Sequence, residues 1–208
     1  MNLLILGPTG GTGLQLVSQA LEQKHTVTAL ARSPEKLRLK HDRLTAIKGD
    51  VLDEALLNKL VPGKDAIVSA LGVTKTWKAH DLMTKAVGLL VNLMIIHNVR
   101  RLILVSAFGA GESIGQANPI QKLLFRWLLR SRYDDKTSSE EILKTIDLDW
   151  TVIYPVMLTN GPHTRHYRVG EKMDMKGMQI ISRADVADFA LRELNENLFI
   201  KKFPIIMY

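Results

Sequence analysis

Short apolar runs alternate with amphipathic helical patterns along the chain up to Tyr154. The apolar runs have the length of strands and are rich in leucine and β-branched residues. They are Leu3–Leu6, Val27–Ala31, Leu44–Ile47, Ala66–Leu71, Leu102–Val105 and Trp150–Tyr154. The helical patterns lie at Leu14–Glu22, Glu54–Leu60, Lys78–His97, Ile120–Arg130 and Thr137–Thr145. This order predicts an α/β fold, a doubly wound parallel sheet with helices on both faces.

The pattern becomes irregular after Pro155. Asn160-Gly161-Pro162 has turn chemistry, and short apolar runs return at Gln179–Ile181 and Pro204–Met207. A helix is predicted at Ala184–Leu194, with Ser182 as its N-cap. Because no repeat or linker divides the chain, we expect a single domain over residues 1–208, with residues 156–183 as a small substrate-side extension.

The composition excludes several kinds of chemistry. The 208 residues contain no cysteine, so disulfides, thiolate catalysis and cysteine-ligated metals are excluded, which suits a cytoplasmic protein. An apolar run leads from Met1 into Gly7 without a basic leader or cleavage site, and we expect no secretory signal. The apolar stretch Ala86–Ile96 is interrupted by Gly88 and Asn92 and is shorter than the roughly 20 residues of a spanning helix, so we expect no membrane segment.

The formal net charge of +7 raises the question of an anionic partner. The densest basic segment places Lys122, Arg126 and Arg130 along one helix face, with Arg132 beside them and leucines on the other face. A solvated outer face of a packed helix is the simplest explanation, and an anionic ligand, a membrane surface or a nucleic acid is the alternative. We expect no nucleic-acid or membrane partner, and we expect a monomer.

Two histidines have a spacing that is sometimes found in metal sites. They are His163 and His166. No acidic residue or third histidine accompanies them in the sequence, so we expect no metal ion.

A glycine-rich turn follows the first predicted strand directly. Gly7-Pro8-Thr9-Gly10-Gly11-Thr12-Gly13 lies between Leu3–Leu6 and an amphipathic helix. Glycines let the backbone turn with positive φ and approach a pyrophosphate closely, while the free N–H groups of the helix start attract an anion. In this setting, three glycines spaced by three predict the dinucleotide-binding turn of a Rossmann-type fold rather than an ordinary strand-to-helix turn.

The end of the second strand distinguishes NAD(H) from NADP(H). Hosts of NAD normally place an acidic residue there to hold the ribose 2′-hydroxyl. Here Arg32 and Ser33 follow the strand, and a guanidinium beside a hydroxyl suits a 2′-phosphate. The sequence therefore favours NADPH over NADH as cofactor, the alternative being a surface arginine without a ligand.

Two further strand exits extend the predicted cofactor site. Asp50 follows the third strand, where its carboxylate can accept from the adenine amino group while Val51 covers the ring; Asp50 can equally cap the next helix. Ala70, Leu71 and Gly72 follow the fourth strand, where they let the cofactor lie across the sheet edge or simply form a tight turn. Ligands of open parallel sheets bind at such exits.

Together with three later segments, these motifs resemble the atypical short-chain dehydrogenase/reductase superfamily. The later segments are Val105-Ser106-Ala107-Phe108, Leu148-Asp149-Trp150-Thr151-Val152-Ile153-Tyr154-Pro155 and Ile181-Ser182-Arg183-Ala184-Asp185-Val186-Ala187. The resemblance covers essentially the whole chain and is to small single-domain members similar to flavin reductase/biliverdin-IXβ reductase and to NmrA-like proteins.

The resemblance implies roles for several residues. Ser106 would lie beside the nicotinamide and the substrate, and Pro155 and the following residues, including Met157, would cover the nicotinamide. Lys136 occupies the place of a lysine that such families often carry, so Ser106 and Lys136 are the catalytic candidates. The tyrosine that typically precedes this lysine by four is missing, because position 132 is Arg and Tyr133 is one residue too late. From residue type alone, Ser106 could instead bond within its turn, and Lys136 could be solvated.

The missing tyrosine bears on the reaction. A Tyr–Lys pair exchanges a proton with an alcohol or ketone oxygen as hydride moves, so its absence argues against ordinary alcohol dehydrogenase chemistry. Flavins and linear tetrapyrroles accept hydride at an electrophilic centre and can take the proton from solvent. We therefore expect an NADPH-dependent reductase of a planar conjugated acceptor, with Phe108, Met157 and Leu158 as the apolar floor of its pocket. The alternatives are a non-catalytic NADP(H)-binding redox sensor of NmrA-like type and, less favoured, an epimerase-like enzyme.

Overall fold

The sheet at the centre of the fold has eight strands within the residues that the computed structural model describes, 1–72, 81–117, 130–175 and 177–208. Its strand order is β3-β2-β1-β4-β5-β6-β10-β8, and β7 and β9 form a separate two-stranded sheet. The strands are β1 (Asn2–Leu6), β2 (Thr26–Ala31), β3 (Leu44–Lys48), β4 (Ala66–Ser69), β5 (Arg101–Val105), β6 (Asp149–Pro155), β7 (Met157–Thr159), β8 (Arg168–Gly170), β9 (Ile180–Ser182) and β10 (Ile205–Met207). Neighbouring strands of the large sheet are parallel, except that β8 runs antiparallel to β10.

Helices flank this sheet in two packed pairs. The described helices are α1 (Gly11–Glu22), α2 (Glu54–Leu60), α3 (Leu82–Ile96), α4 (Arg130–Lys144) and α5 (Arg183–Glu196). Helix α1 packs against α5, and α3 packs against α4. Short 3-10 segments lie at Pro34–Leu37 and Gly111–Gln116. In the described part of the chain, no helix combines the length and the apolar composition needed to cross a membrane.

The central strands are buried along their whole length. All residues of β4 and β5 are buried, and so is β1 from Leu3 onward. Such continuous apolar strands are typical of a parallel sheet covered on both faces. The edge strand β3 is partly exposed instead. The core therefore lies on both sides of β1, β4, β5 and β6.

The direction of strand order reverses at β1. Leu6, the last residue of β1, pairs with Leu30 of β2 on one side and with Ser69 of β4 on the other. The carboxyl ends of these three strands therefore lie side by side, with the glycine turn at their centre. This is the switch point at which doubly wound folds bind ligands.

The sequence predicts the strands of the large sheet except β8, and it also misses β7 of the small sheet. The segment predicted as irregular contains β7 and β8, each of three residues, which are too short to produce a pattern of alternation. Helix α4 extends to the N-terminal side of its predicted start at Thr137. The predicted helix Ile120–Arg130, with Lys122 and Arg126, falls outside the described residues except for its last position.

Candidate functional site

The glycine turn after β1 requires glycine at two positions. Gly7 has φ of +73°, and a Cβ there would lie 2.6 Å from the carbonyl oxygen of Ala70. A Cβ on Gly13 would overlap the carbonyl oxygen of Gly7. Gly10 differs, because its backbone is extended and a Cβ would meet protein only at 3.5 Å. Gly7 and Gly13 are therefore required by the turn, whereas a Cβ on Gly10 would make only an ordinary van der Waals contact.

Helix α1 has no side-chain cap, unlike three other described helices. Gly10 is its N-cap, and no acidic residue lies in its first turn. By contrast, Asp53 caps α2 by accepting from Leu56 N at 3.0 Å, and Ser182 caps α5 by accepting from Asp185 N at 3.0 Å. The carboxylate of Asp135 accepts from the first backbone N–H groups of α3 at 2.9 and 3.0 Å. Among the described residues, no side chain is bonded to the N–H groups at the start of α1, so these groups can receive an anion.

The exit of β2 carries an unpaired cation. Arg32 is exposed and makes no hydrogen bond or ion pair with any described residue. Ser33 is half-buried beside it, and its hydroxyl does not cap the following 3-10 segment. Both side chains are therefore available to a phosphate at this edge of the sheet.

The exits of β3 and β4 complete this edge. Asp50 accepts from Leu52 N at 2.9 Å and so closes the turn. The alternative that Asp50 caps the next helix is wrong, because Asp53 does so. Val51 is buried, whereas Ala70 and Leu71 are half-buried and Gly72 is exposed. The predicted residues of all four exits therefore line one edge of the sheet, and Gly72 has open space where a side chain would stand.

Ser106, at the exit of β5, is engaged inside the protein. It is 6% exposed, and its hydroxyl donates to Oε1 of Glu140 at 2.5 Å. The hydroxyl of Tyr154 donates to Oε2 of the same carboxyl at 2.6 Å. Burial raises the pKa of Glu140. Ser106 therefore has a partner of its own, and its hydroxyl fixes the β5 exit against α4.

Sequence reasoning missed Glu140. It is 1% exposed and is the centre of the Ser106–Tyr154 contact. The signal that could have found it is its position four residues after Lys136, which places both on one face of α4. An acidic residue on the buried face of a helix needs a partner, and the strand exits supply it.

Lys136 is a titratable group on α4, four residues before Glu140. It is half-buried, and its ammonium makes no hydrogen bond or ion pair with the described residues. Burial lowers the pKa of Lys136 to about 8, against the opposing charges of Glu140 and Asp135. The ammonium can therefore exchange a proton near neutral pH.

Hydrogen bonds of Tyr133 and Phe108 connect α4 with the exits of β5 and β6. The Tyr133 hydroxyl donates to the carbonyl oxygen of Phe108 at 3.1 Å, and burial raises the pKa of Tyr133. The Phe108 N–H donates to the carbonyl oxygen of Pro155 at 2.9 Å, so the exits of β5 and β6 are joined. The Phe108 side chain is only 6% exposed and belongs to the core. The expectation that it forms an open apolar floor is therefore wrong.

The other two residues of the predicted floor lie on β7. Met157 is 50% exposed and is paired in register with Ile180 of β9, which is also exposed. Leu158 is half-buried and packs against the core. An accessible apolar surface therefore follows Pro155. Of the three residues predicted to form the floor, Met157 is the most exposed.

A separate cavity of about 570 Å³ opens beside Tyr154. It lies between the 3-10 segment Gly111–Gln116 and the chain that follows β8. Its lining combines polar and apolar side chains and consists of Glu112, Ser113, Gln116, Tyr154, Glu171, Lys172, Met173, Asp174 and Phe203. Neither Met157 nor Leu158 lines it, so the predicted floor and this cavity are different surfaces.

The substrate-side extension is held to α5 by carboxylates. His163 Nε2 lies 2.9 Å from Oδ1 of Asp188, whose Oδ2 accepts from the Tyr167 hydroxyl at 2.5 Å. Asp185 accepts from the backbone N–H groups of Thr164 and Arg165, each at 2.8 Å. His163 therefore serves to anchor this segment.

Known proteins are similar to this chain in sequence and in fold. The curated Photosystem II assembly factor Ycf39 of Synechocystis is 26% identical over 99% of this chain, which spans 62% of that protein. Among solved structures, ChuY, an anaerobillin reductase from Escherichia coli, superposes with a TM-score of 0.80 at 21% identity and coverage of 99% and 96% of the two chains. A short-chain dehydrogenase/reductase from Veillonella parvula in complex with NADP has a TM-score of 0.80 at 21% identity, with 99% and 93% covered.

A family match covers most of the chain. Residues 7–197 match the NAD(P)H-binding family, a span from the first glycine of the turn to the end of α5. It includes every strand exit described above, and the resemblance drawn from the sequence motifs is confirmed. The chain belongs to the NAD(P)H-binding family.

Proposed function

We propose that this protein is an NADPH-dependent oxidoreductase that transfers hydride to a planar conjugated acceptor such as a flavin or a linear tetrapyrrole. The observation that carries the proposal is the N-terminus of α1 without a side-chain cap, beside an Arg32 that has no hydrogen-bond or ion-pair partner among the residues described. Similarity to an anaerobillin reductase and to a reductase bound to NADP supports the same class.

The choice of NADPH over NADH is based on charge. No acidic residue stands at the exit of β2, where a ribose 2′-hydroxyl would be held. Arg32 and Ser33 offer forked N–H donors and a hydroxyl, which match a 2′-phosphate. The N–H groups of α1 would receive the pyrophosphate, and Asp50 retains acceptor capacity toward the adenine.

When bound, NADPH supplies the hydride, and the protein supplies position and a proton. Ser106 and Glu140 fix the exit of β5, and Phe108 joins it to the exit of β6. Met157 offers an apolar surface for a flat ring. Lys136 carries a proton on Nζ below pH 8 and can release it near neutrality. It is the proton source that we assign to this site.

Stopped-flow mixing of the purified protein with NADPH and a panel of flavins, linear tetrapyrroles and quinones tests the proposal. We expect acceptor-dependent loss of NADPH absorbance with at least one planar acceptor, and slower loss with NADH. Tight binding of NADPH without turnover of any acceptor would contradict the enzymatic proposal. That result would favour the second candidate, an NADP(H)-binding redox sensor, which the arginine at position 132, in place of a tyrosine four residues before Lys136, also fits.

A further inference from the structure

Arg183, the first residue of α5, packs directly on the glycine turn. A Cβ placed on Gly11 would lie 2.6 Å from Cδ and 2.8 Å from Nε of Arg183. The two helices are also joined nearby, because Nε2 of Gln19 donates to the carbonyl oxygen of Ala184 at 2.9 Å. The start of α5 is therefore fixed beside the uncapped start of α1.

This contact explains a glycine that the turn itself does not require. Gly11 lies outside the three glycines spaced by three, and its φ is not in the left-handed region. Its missing side chain makes room for the stem of Arg183. A long cationic side chain is thus seated where the phosphate-binding N–H groups begin.

The hydrogen-bond partner of the Arg183 guanidinium is uncharged. Its Nη1 donates to Oδ1 of Asn160 at 2.7 Å, and Asn160 is a neutral amide just after β7. In the described part of the chain, no carboxylate pairs with it, whereas Arg192 pairs with Glu196 at 3.2 Å. A half-buried guanidinium with a neutral partner retains donors and charge for an external anion.

We propose that Arg183 is a ligand of the cofactor pyrophosphate and that Asn160 holds its guanidinium in position. The inference rests on the dinucleotide site proposed above and adds a residue from the substrate-side extension to it. Arg32 would then recognise the 2′-phosphate, and Arg183 would recognise the group that NADPH and NADH share. Cofactor binding would also fix Asn160, and through it the segment that follows Met157.

The test compares Arg183→Ala with Arg100→Ala by calorimetry. Arg100 is the control for the loss of an arginine, because it lies at the opposite edge of the sheet, where it pairs with Asp149 at 3.2 Å. We expect Arg183→Ala to weaken NADPH and NADH equally, by about 10- to 100-fold, since one charge-assisted contact to the shared pyrophosphate is lost. The affinity for 2′-AMP, which has no pyrophosphate, should not change, and Arg100→Ala should bind all three ligands normally.

Substitutions at Asn160 and Arg183 distinguish a ligand role of Arg183 from a structural one. Asn160→Asp keeps the contact but pairs the guanidinium with a carboxylate, so it should weaken both dinucleotides more than Asn160→Ala does. Arg183→Lys should recover only part of the affinity, because the forked donors are lost. Unchanged dinucleotide binding in Arg183→Ala, or an equal loss for 2′-AMP, would overturn the assignment. If the wild-type protein binds neither dinucleotide, the proposed function fails instead.

Discussion

The geometry of the glycine turn predicts different outcomes for side chains added at Gly10 and at Gly13. The first should abolish binding and the second should destabilise the fold. In Gly10→Val the new Cβ makes no clash, because it would lie at the ordinary contact distance of 3.5 Å from the carbonyl oxygen of Gly7 and the backbone is extended. We expect the fold to survive, with a loss of about 1 kcal/mol from the poorer N-cap. The same side chain would occupy the space above the N–H groups of α1, so dinucleotide binding should be abolished.

Gly13→Ala should instead destabilise the fold strongly. Its Cβ would overlap the backbone carbonyl of Gly7, which no side-chain rotation can relieve. Overpacking of this kind costs about 3 kcal/mol, which for a chain of this length lowers the melting temperature by about 6–12 °C. Gly115→Val is the control, because that glycine is exposed and has nothing within 4 Å of its Cβ.

Calorimetric titration with NADPH and thermal unfolding of all three variants provide the measurements. The reasoning holds if Gly10→Val melts near the wild-type temperature and binds nothing, while Gly115→Val binds normally. Normal NADPH binding by Gly10→Val would show that the pyrophosphate does not lie above this turn. A wild-type melting temperature for Gly13→Ala would refute the packing argument.

Three further predictions concern individual side chains. Arg32→Ala should weaken NADPH by about 10- to 100-fold and NADH much less, and equal losses in a titration would contradict its 2′-phosphate role. Because the pKa of Lys136 is about 8, kcat/KM for the acceptor should fall as pH rises through about 8, and Lys136→Met should remove that limb of the profile. Tyr133→Phe should leave the hydride-transfer rate nearly unchanged in stopped flow, since its hydroxyl is bonded to Phe108; a large loss would identify it as the proton donor.

The parts of the site that are local in sequence could be predicted, because their signals lie within a few residues. The turn from Gly7 to Gly13 and the residue pair Arg32 and Ser33 each follow directly from a strand that the hydrophobic pattern identifies. The helix cap at Ser182 is confirmed for the same reason. A cap is a contact across three residues, so composition and spacing suffice.

The contacts that join distant segments could not be predicted in this way. Glu140 and Ser106 are 34 positions apart, and Arg183 and Asn160 are 23 positions apart, so no periodic pattern links either pair. Phe108 shows the same limit, because an aromatic residue at a strand exit can face the pocket or the core with identical sequence. Which face it takes depends on the packing of α4 and β6 around it.

The buried carboxyl of Glu140 gives a prediction that separates structural from catalytic roles. Glu140→Ala leaves the hydroxyls of Ser106 and Tyr154 without a partner, which should lower the free energy of unfolding by about 2–6 kcal/mol. Glu140→Gln should cost much less, because the amide can accept from one hydroxyl and donate to the other. Denaturant unfolding of both variants measures the difference.

The pH dependence of stability in the wild-type protein and in Glu140→Gln gives an independent check. Folding raises the pKa of Glu140 above its ordinary value of 4.5, so ionisation is harder in the folded protein than in the unfolded chain. The wild-type protein should therefore lose stability relative to Glu140→Gln as pH rises above 4.5, and the two should be most alike below it. A stability difference that does not change with pH would show that this carboxyl is ionised in the folded state as readily as in the unfolded one. The Ser106 hydroxyl would then be held by an ordinary carboxylate, and the reasoning from burial would fail.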